Sequence, residues 1–322
     1  MRRFLARRLA HGAAVIFIAV SLSFLLLHIA PGDPFSATLA SASIDPATLA
    51  QWRTAYGLDR PILEQYIRFL GQAAVGNFGP SIRYHQPVAD VLAAAIPQTI
   101  ALMGTALVLS FGFGVALGSW QAAHRGTTPD RIAGTASLIV GSLPEFWLGL
   151  VLLLLFAARF PIFPSHGAVD PMHDLFPLAE RVIDRARHLV LPALTLALLS
   201  SASIARYQRA TLLDVLPQDF VRTARAKGVA ERHVLWKHAL RNALVPTIVL
   251  AGLSLPALIG GAVFVERIFS WPGMGSVAVD AFAGRDYQLV AGTTVAGAVL
   301  VVAGSIVADL LHAVADPRVR AR

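Results

Sequence analysis

Long apolar stretches, separated by polar and basic segments, dominate the pattern of this chain. The stretches without Asp, Glu, Lys or Arg, one of them interrupted by Glu145, are Leu9–Gly32, Val91–His124, Ile132–Ala158, His188–Ala205, Asn242–Val265 and Tyr287–Ala308. A membrane helix needs about 20 mainly apolar residues, and only His188–Ala205 is shorter than that. The pattern predicts an all-α, polytopic membrane protein with about six transmembrane helices.

Composition supports the membrane interpretation. Hydrophobic residues make up 56% of the 322 residues and charged residues only 14%, whereas a soluble domain carries about 25% charged residues. The net charge of +8 could indicate nucleic-acid binding, but the basic residues lie beside the apolar stretches, so we expect no nucleic-acid partner. The chain has no cysteine, which excludes disulfides and thiolate metal sites.

The distribution of basic residues predicts that both termini are cytoplasmic. With the N-terminus inside, the inside segments hold most of the Lys and Arg residues, namely Arg2, Arg3, Arg7, Arg8, Arg125, Arg131, those of the Arg206–Arg241 loop, Arg318, Arg320 and Arg322. Lys and Arg favour the cytoplasmic side. The first apolar stretch is longer than the core of a typical signal peptide and lacks a clear cleavage site, so we expect a retained signal-anchor helix.

This arrangement divides the chain into two predicted parts. Residues 1–96 would hold the signal-anchor helix and an outside loop with amphipathic helices, one from Asp45 to Gly57 and one after Asp59 with Ile62, Tyr66, Phe69 and Leu70 on one face. These helices would lie on the membrane or the bundle, or would form part of a docking surface for an outside partner. Residues 97–322 would form the core, with a cytoplasmic loop over 206–243. The outside loop Arg159–Arg187 suggests no role.

The segment from Asp219 to Pro246 predicts a short helix followed by a longer one. Asp219 can cap a helix over Phe220–Lys227 that Gly228 ends. A second helix begins near Ala230 and continues into the fifth stretch. Small side chains at 223, 224 and 226 would let another protein approach the short helix closely. Two interpretations remain open: a lever moved by a cytoplasmic partner, or a basic loop that only fixes topology.

Several motifs occur in order along nearly the whole chain. They are Ala30–Phe35, Tyr56–Leu70, Ile96–Ile100, Ser142–Leu150, Leu191–Leu198, Asp219–Gly228, His238–Pro246, Gly260–Gly275, Arg285–Val290 and Ala315–Arg320. With these motifs the chain resembles the permease subunits of the dipeptide/oligopeptide/nickel branch of ABC importers. The resemblance implies a second, related permease, two cytoplasmic ATPase subunits and an extracytoplasmic substrate-binding protein as partners. It leaves the solute open among dipeptides, oligopeptides, glutathione and nickel chelates.

The resemblance also implies that the Asp219–Gly228 segment is the ATPase-coupling loop, a variant of the EAA motif. The coupling residues implied are Asp219, Arg222, Thr223, Ala224, Arg225, Ala226, Gly228 and Glu231. Arg222 stands where the general motif has its acidic first residue. The chain lacks the G-x-x-x-x-G-K-[ST] pattern that cradles phosphates, and its only lysines are Lys227 and Lys237. We therefore expect no cofactor on this chain, with ATP and Mg on the partner ATPase.

Glu145 is the one acidic residue well inside a stretch, and it follows Pro144. An ionisable residue at membrane depth suggests function, so both residues are candidates for the solute pathway, where Glu145 could meet a cationic group. A purely structural Glu is the other interpretation. The histidines show no spacing typical of a metal site.

Two other classes of protein fit the sequence less well. A stand-alone secondary transporter or channel usually carries several ionisable residues within its spans, and here only Glu145 qualifies. An intramembrane enzyme would need a nucleophile or metal motif such as G-x-S-x-G or H-E-x-x-H, and neither occurs.

Overall fold

The computed structural model describes residues 2–29 and 59–315, and these residues form helices without any named strand. The helices are α1 (Arg2–Ile29), α2 (Ile62–Ala74), α3 (Val88–Ala123), α4 (Thr128–Ser142), α5 (Glu145–Leu153, continued by a π turn over Leu154–Arg159), α6 (Leu178–Val215), α7 (Asp219–Ala226), α8 (Glu231–His233, a π turn over Val234–Ala239, then Leu240–Gly261), α9 (Val263–Ile268), α10 (Met274–Ala283) and α11 (Tyr287–Ala315). The all-α prediction is confirmed. The helix predicted from Asp45 to Gly57 lies outside the described residues.

The helices account for most of the predicted spans. Among the described residues, α1, α3, α6 and α11 are long and apolar enough to cross a membrane, and α4 with α5 forms a pair bent by 103°. A 22-residue helical segment, Leu240–Gly261, occupies the position of the fifth predicted span. The total of six spans and the cytoplasmic location of the termini remain predictions.

Helix α6 differs most from its prediction. The apolar stretch suggested a short span over His188–Ala205, but the helix has 38 residues and begins at Leu178. At about 1.5 Å per residue it is roughly 57 Å long, so charged residues at both ends continue the helix beyond its apolar part. The predicted outside loop from Arg159 therefore ends ten residues earlier than expected, because Pro177 is the N-cap of α6.

The remaining part of that loop folds around one carboxylate. Asp184 lies near the start of α6, and its Oδ2 accepts a hydrogen bond from the backbone N–H of Asp170 (3.0 Å) and lies 2.7 Å from Nδ1 of His173. Its Oδ1 lies 3.1 Å from Nδ1 of His188. Both imidazoles are buried. Asp184 thus fixes the 3₁₀ turn His173–Leu175 against the first turns of α6.

The chain divides into two compact units, the first formed by Met1–Thr99 and Pro272–Ala303 and the second by Ile100–Trp271 and Gly304–Arg322. In the first unit, the amphipathic helix α2 packs on α1. The Tyr66 hydroxyl lies 2.7 Å from the hydroxyl of Ser21, and the Phe24 ring contacts the rings of Tyr66 and Phe69. Ile62, predicted on the same face, is exposed instead. Helix α2 therefore packs against α1, and whether it also lies on the membrane or docks a partner stays a prediction.

Asp286 joins two distant segments of the first unit. Its Oδ2 accepts hydrogen bonds from the Ser81 hydroxyl (2.6 Å) and the Arg83 backbone N–H (3.0 Å). Its Oδ1 accepts the backbone N–H of Leu289 (3.0 Å), which caps the first turn of α11. The carboxylate is fully buried. One side chain thus positions the segment before α3 at the N-terminus of α11. This contact gives the Arg285–Val290 motif, which contains Asp286, a structural role.

Replacing Asp286 with Ala should destabilise the first unit by about 3 kcal/mol, because a helix cap is lost and buried donors are left without an acceptor. Thermal unfolding of the purified protein in detergent would measure the change. Asp90→Ala is the matched control, since Asp90 is exposed in the first turn of α3. Equal losses for the two variants would contradict the role assigned to Asp286.

In the second unit, α6 is the central element, and α4, α5, α8 and α9 pack around it. One cluster of buried apolar side chains includes Leu148 and Leu152 of α5, Leu191 and Leu196 of α6, and Phe269 after α9. Helices α3 and α6 cross where Gly114 and Gly118 of α3 meet Ser201–Ala205 of α6. Two small residues four apart let helix backbones approach closely, and here they allow α3 to pack directly against α6.

Candidate functional site

Helix α7 begins one residue earlier than the sequence suggested. Gln218 is its N-cap, and no side chain caps the first turn. Asp219 is the first helical residue, so the prediction that it caps the helix is wrong. Its carboxylate remains near the N-terminus, where a negative charge interacts favourably with the helix dipole. The backbone carbonyl of Asp219 accepts a hydrogen bond from the Thr223 hydroxyl at 2.8 Å.

Gly228 ends α7 as predicted. Its φ of +75° lies in the left-handed region, which residues other than glycine adopt only at a cost in energy. The N–H of Gly228 donates to the carbonyl of Arg225 (2.9 Å), and the N–H of Val229 donates to the carbonyl of Ala224 (3.3 Å). These two bonds form a Schellman motif, which satisfies carbonyls at the helix end and turns the chain sharply.

One face of α7 is buried in the protein's own core. Val221 is fully buried and Ala224 nearly so, and both belong to a cluster with buried side chains of α6 and α8 (Leu212, Val215, Val234, Ala239 and Ala243). We expected the small side chain of Ala224 to admit a partner, and this expectation is wrong. Residues three apart share a helix face, and here that face holds α7 on the bundle.

The opposite face of α7 is open. Phe220, Arg222, Thr223, Ala226 and Lys227 are all exposed. Phe220 is 40% exposed although it is large and apolar, and the sequence interpretation did not include it among the site residues. Phe220 could have been recognised as a site residue because it lies beside Val221, which is buried, on a helix whose outer face is otherwise polar. The exposed face offers an aromatic ring and cations to a partner.

Arg225 and Glu231 connect α7 to the start of α8. Arg225 Nε and Nη2 donate to the two carboxylate oxygens of Glu231 at 3.0 and 2.6 Å. This hydrogen bonding with Arg225 holds the pKa of Glu231 below its usual range. Both side chains are well exposed, so the pair contributes at most about 1 kcal/mol and mainly fixes the angle of the turn. By contrast, Arg222 and Asp219 approach only to 3.9 Å.

Buried polar contacts lie close to this loop. The Thr247 hydroxyl of α8 donates to Gln208 Oε1 of α6 at 2.6 Å, and both side chains are fully buried. The next residue of α6, Arg209, donates to both oxygens of Asp130 at 3.0 and 2.8 Å, and Asp130 also accepts the Gly126 N–H. Helices α6 and α8, which flank α7, are therefore tied to each other and to the start of α4.

Pro144 and Glu145 lie at the sharp bend between α4 and α5. Pro144 is the N-cap of α5 in an extended conformation, and Glu145 is its first residue. Glu145 Oε1 is buried and has no hydrogen-bond partner among the described residues. The next two residues, Phe146 and Trp147, are half exposed. Leu148, in the turn after Glu145, belongs to one buried cluster and Val221 of α7 belongs to another, so the structure does not bring the two predicted sets together.

Known families match both ends of the chain. Residues 114–321 match the family described as "Binding-protein-dependent transport system inner membrane component". Residues 1–103 match the family described as "Binding-prot-dependent transport system membrane comp, N-term".

Curated relatives match over the full length. The oligopeptide transport system permease protein AppB of Bacillus subtilis (strain 168) is 39% identical over 320 residues, 99% of each chain. The di/tripeptide transport system permease protein DppB of Pseudomonas aeruginosa (strain UCBPP-PA14) is 37% identical over 333 residues, again 99% of each. The glutathione transport system permease protein GsiC of Escherichia coli (strain K12) is 35% identical over 320 residues with the same coverage.

A solved structure has a similar fold. A chain of the MetNI methionine ABC transporter, in an inward-facing conformation, superposes with a TM-score of 0.51 and 16% sequence identity. The match covers 69% of this chain and 96% of the other. At this identity the likeness concerns the fold alone.

Proposed function

Because the chain belongs to the family of binding-protein-dependent transport system inner membrane components, we propose that it is one of two permease subunits that together form the translocation path of an ATP-driven importer. It is a multi-pass protein of the inner membrane. Members of this family are permease subunits and not themselves enzymes. We place ATP and Mg on separate ATPase subunits, with no cofactor on this chain.

The observation that carries the proposal is the construction of α7. Its inner face is fixed by Val221 and Ala224, its end by Gly228, and its turn by the Arg225–Glu231 pair. A short helix held at these points moves with α6 and α8 as one piece. Its outer face, with Phe220, remains free to contact a partner. These are the properties of an element that transmits force from a partner to the bundle.

The partners follow from this role. We propose a second, homologous permease, two cytoplasmic ATPase subunits beneath α7 and an extracytoplasmic substrate-binding protein. We propose peptides or related small solutes as cargo, because relatives of this chain carry names that specify oligopeptide, di/tripeptide and glutathione transport. The binding protein would select among them.

We propose that transport proceeds by alternating access. ATP binding would close the ATPase dimer, displace α7 and open the path outward, and hydrolysis would return it to the inward-facing form. By linkage, ATP and the loaded binding protein must favour the same state.

Reconstitution distinguishes this function from a stand-alone secondary transporter or channel. The chain would be co-expressed with its sister permease and ATPase subunits and incorporated into liposomes with the binding protein outside. We expect peptide uptake only when ATP is present on the side of the membrane where the ATPase subunits are bound. Uptake by this chain without the ATPase would refute the importer and support the alternative.

For the pathway, we propose that Glu145, whose Oε1 has no partner among the described residues, meets the cationic amino group of the solute. Glu145→Gln should then reduce uptake of solutes with a free amino group about tenfold, the effect of losing roughly 1.4 kcal/mol of charge pairing. N-acetylated solutes should be affected little. Initial uptake rates in the same liposomes would measure both. Unchanged rates for every solute would remove Glu145 from the pathway.

A further inference from the structure

The π turn at the start of α8 changes which side chains lie side by side. In a π turn, residues five apart are neighbours, whereas in an α-helix residues three or four apart are. The rings of His233 and His238 demonstrate this spacing, because their centroids are 6.4 Å apart. Arg232 and Lys237 have the same separation in sequence. The π turn therefore places these two cations on neighbouring positions.

These side chains line a concavity on the protein surface. It has a volume of about 740 Å³ and is lined by Ala230, Arg232, His233, Trp236 and Lys237. Trp236 is 50% exposed. The nearby carboxylate of Glu231 is already engaged by Arg225. Neither Arg232 nor Lys237 forms an ion pair with any residue in the described ranges. The concavity is thus cationic and has no anion of its own.

The concavity lies along α8 shortly before the helix becomes apolar. Arg241 is the last charged residue before the stretch Asn242–Val265. Lys237 precedes that stretch by five residues and Arg232 by ten, rises of roughly 8 and 15 Å. Ile248, seven residues after Arg241 and hence on the same helix face, is also exposed. Tryptophan with flanking Lys and Arg is typical of the boundary between lipid and water.

We propose that the π turn of α8 forms a binding site for the phosphate group of an anionic phospholipid, held by Arg232 and Lys237, with Trp236 at the lipid boundary. Basic pockets beside membrane helices bind such headgroups, and each Lys or Arg near an anionic surface contributes about 1 kcal/mol. Anionic lipid would stabilise the end of α8 that carries the turn from α7. The site goes beyond the proposed function and does not depend on it.

Native mass spectrometry of the purified full-length chain tests this site. The sample would be titrated with phosphatidylglycerol and, separately, with zwitterionic phosphatidylethanolamine. We expect selective retention of phosphatidylglycerol, weakened about 10- to 30-fold by Arg232→Gln with Lys237→Gln, as the loss of two charges near the lipid implies. The charge-preserving pair Arg232→Lys with Lys237→Arg should retain binding, which separates charge loss from misfolding.

The control pair is Arg125→Gln with Arg131→Gln. Both arginines are exposed, and replacing them removes the same charge on the same predicted side of the membrane. It should bind phosphatidylglycerol like the wild type. Equal weakening by both pairs would overturn the site in favour of general surface attraction. Displacement of the lipid by inorganic phosphate alone would assign the pocket to free phosphate instead. Loss of the lipid when an ATPase subunit binds would show that this surface is a protein interface, and would also overturn the proposal.

Discussion

Gly118→Ala should lower the thermal stability of the protein, although Gly to Ala inside a helix normally stabilises it by about 1 kcal/mol. A Cβ at Gly118 would lie 2.3 Å from the backbone carbonyl oxygen of Ala205. A backbone atom cannot move aside as a side chain can, so α3 and α6 must separate. We expect a loss of about 1–3 kcal/mol and, for Gly118→Leu, no recoverable folded protein.

The same helix supplies the control for this prediction. A Cβ at Gly112 would meet nothing within 4 Å, so Gly112→Ala should show the ordinary small gain in stability. Unfolding temperatures of both variants in detergent, followed by size-exclusion chromatography of heated samples, give the comparison. If both variants shift in the same direction, the close approach at Gly118 does not determine how α3 packs.

Gly228→Val should uncouple ATP hydrolysis from transport. A Cβ at Gly228 would meet nothing within 4 Å, so the whole cost comes from the backbone, whose φ is +75°. Forcing a β-branched residue into this region costs about 1–3 kcal/mol, and the chain would relax by losing the Schellman motif. Helix α7 would then no longer move rigidly with α6 and α8. We expect several-fold less solute transported per ATP hydrolysed, with Gly228→Asn close to the wild type.

Gly76→Val is the matched control for Gly228→Val. Gly76 also has a positive φ, of +70°, and open space around its Cβ, but it lies after α2, in the first unit. It should cost similar stability and leave the ratio of transport to ATP turnover unchanged. Transport and hydrolysis would be measured together in liposomes. A normal ratio for Gly228→Val, or an equal loss for Gly76→Val, would count against α7 as the coupling element.

The site shows where sequence interpretation succeeded and where it stopped. Gly228 could be identified because ending a short polar helix requires a positive φ, which is a local property. Ala224 could not be assigned to the core, because a small residue fits an interface and a tight helix contact equally well. The pairing of Arg225 with Glu231 was also unforeseen, since it depends on the angle of the turn between α7 and α8. Phe220 was missed because its exposure follows from the burial of Val221.

By itself the sequence determined the all-α membrane fold, because apolar stretches of this length must satisfy their backbone hydrogen bonds within helices when they enter lipid. It also determined the end of α7 at Gly228, because the positive φ there depends on neighbouring residues alone. Only the tertiary structure decided the extent of α6, the crossing at Gly118 and the roles of Asp286 and Asp184. These features depend on contacts between residues far apart in sequence, such as Asp286 with Ser81, and no local pattern specifies which distant partner a buried polar group will find.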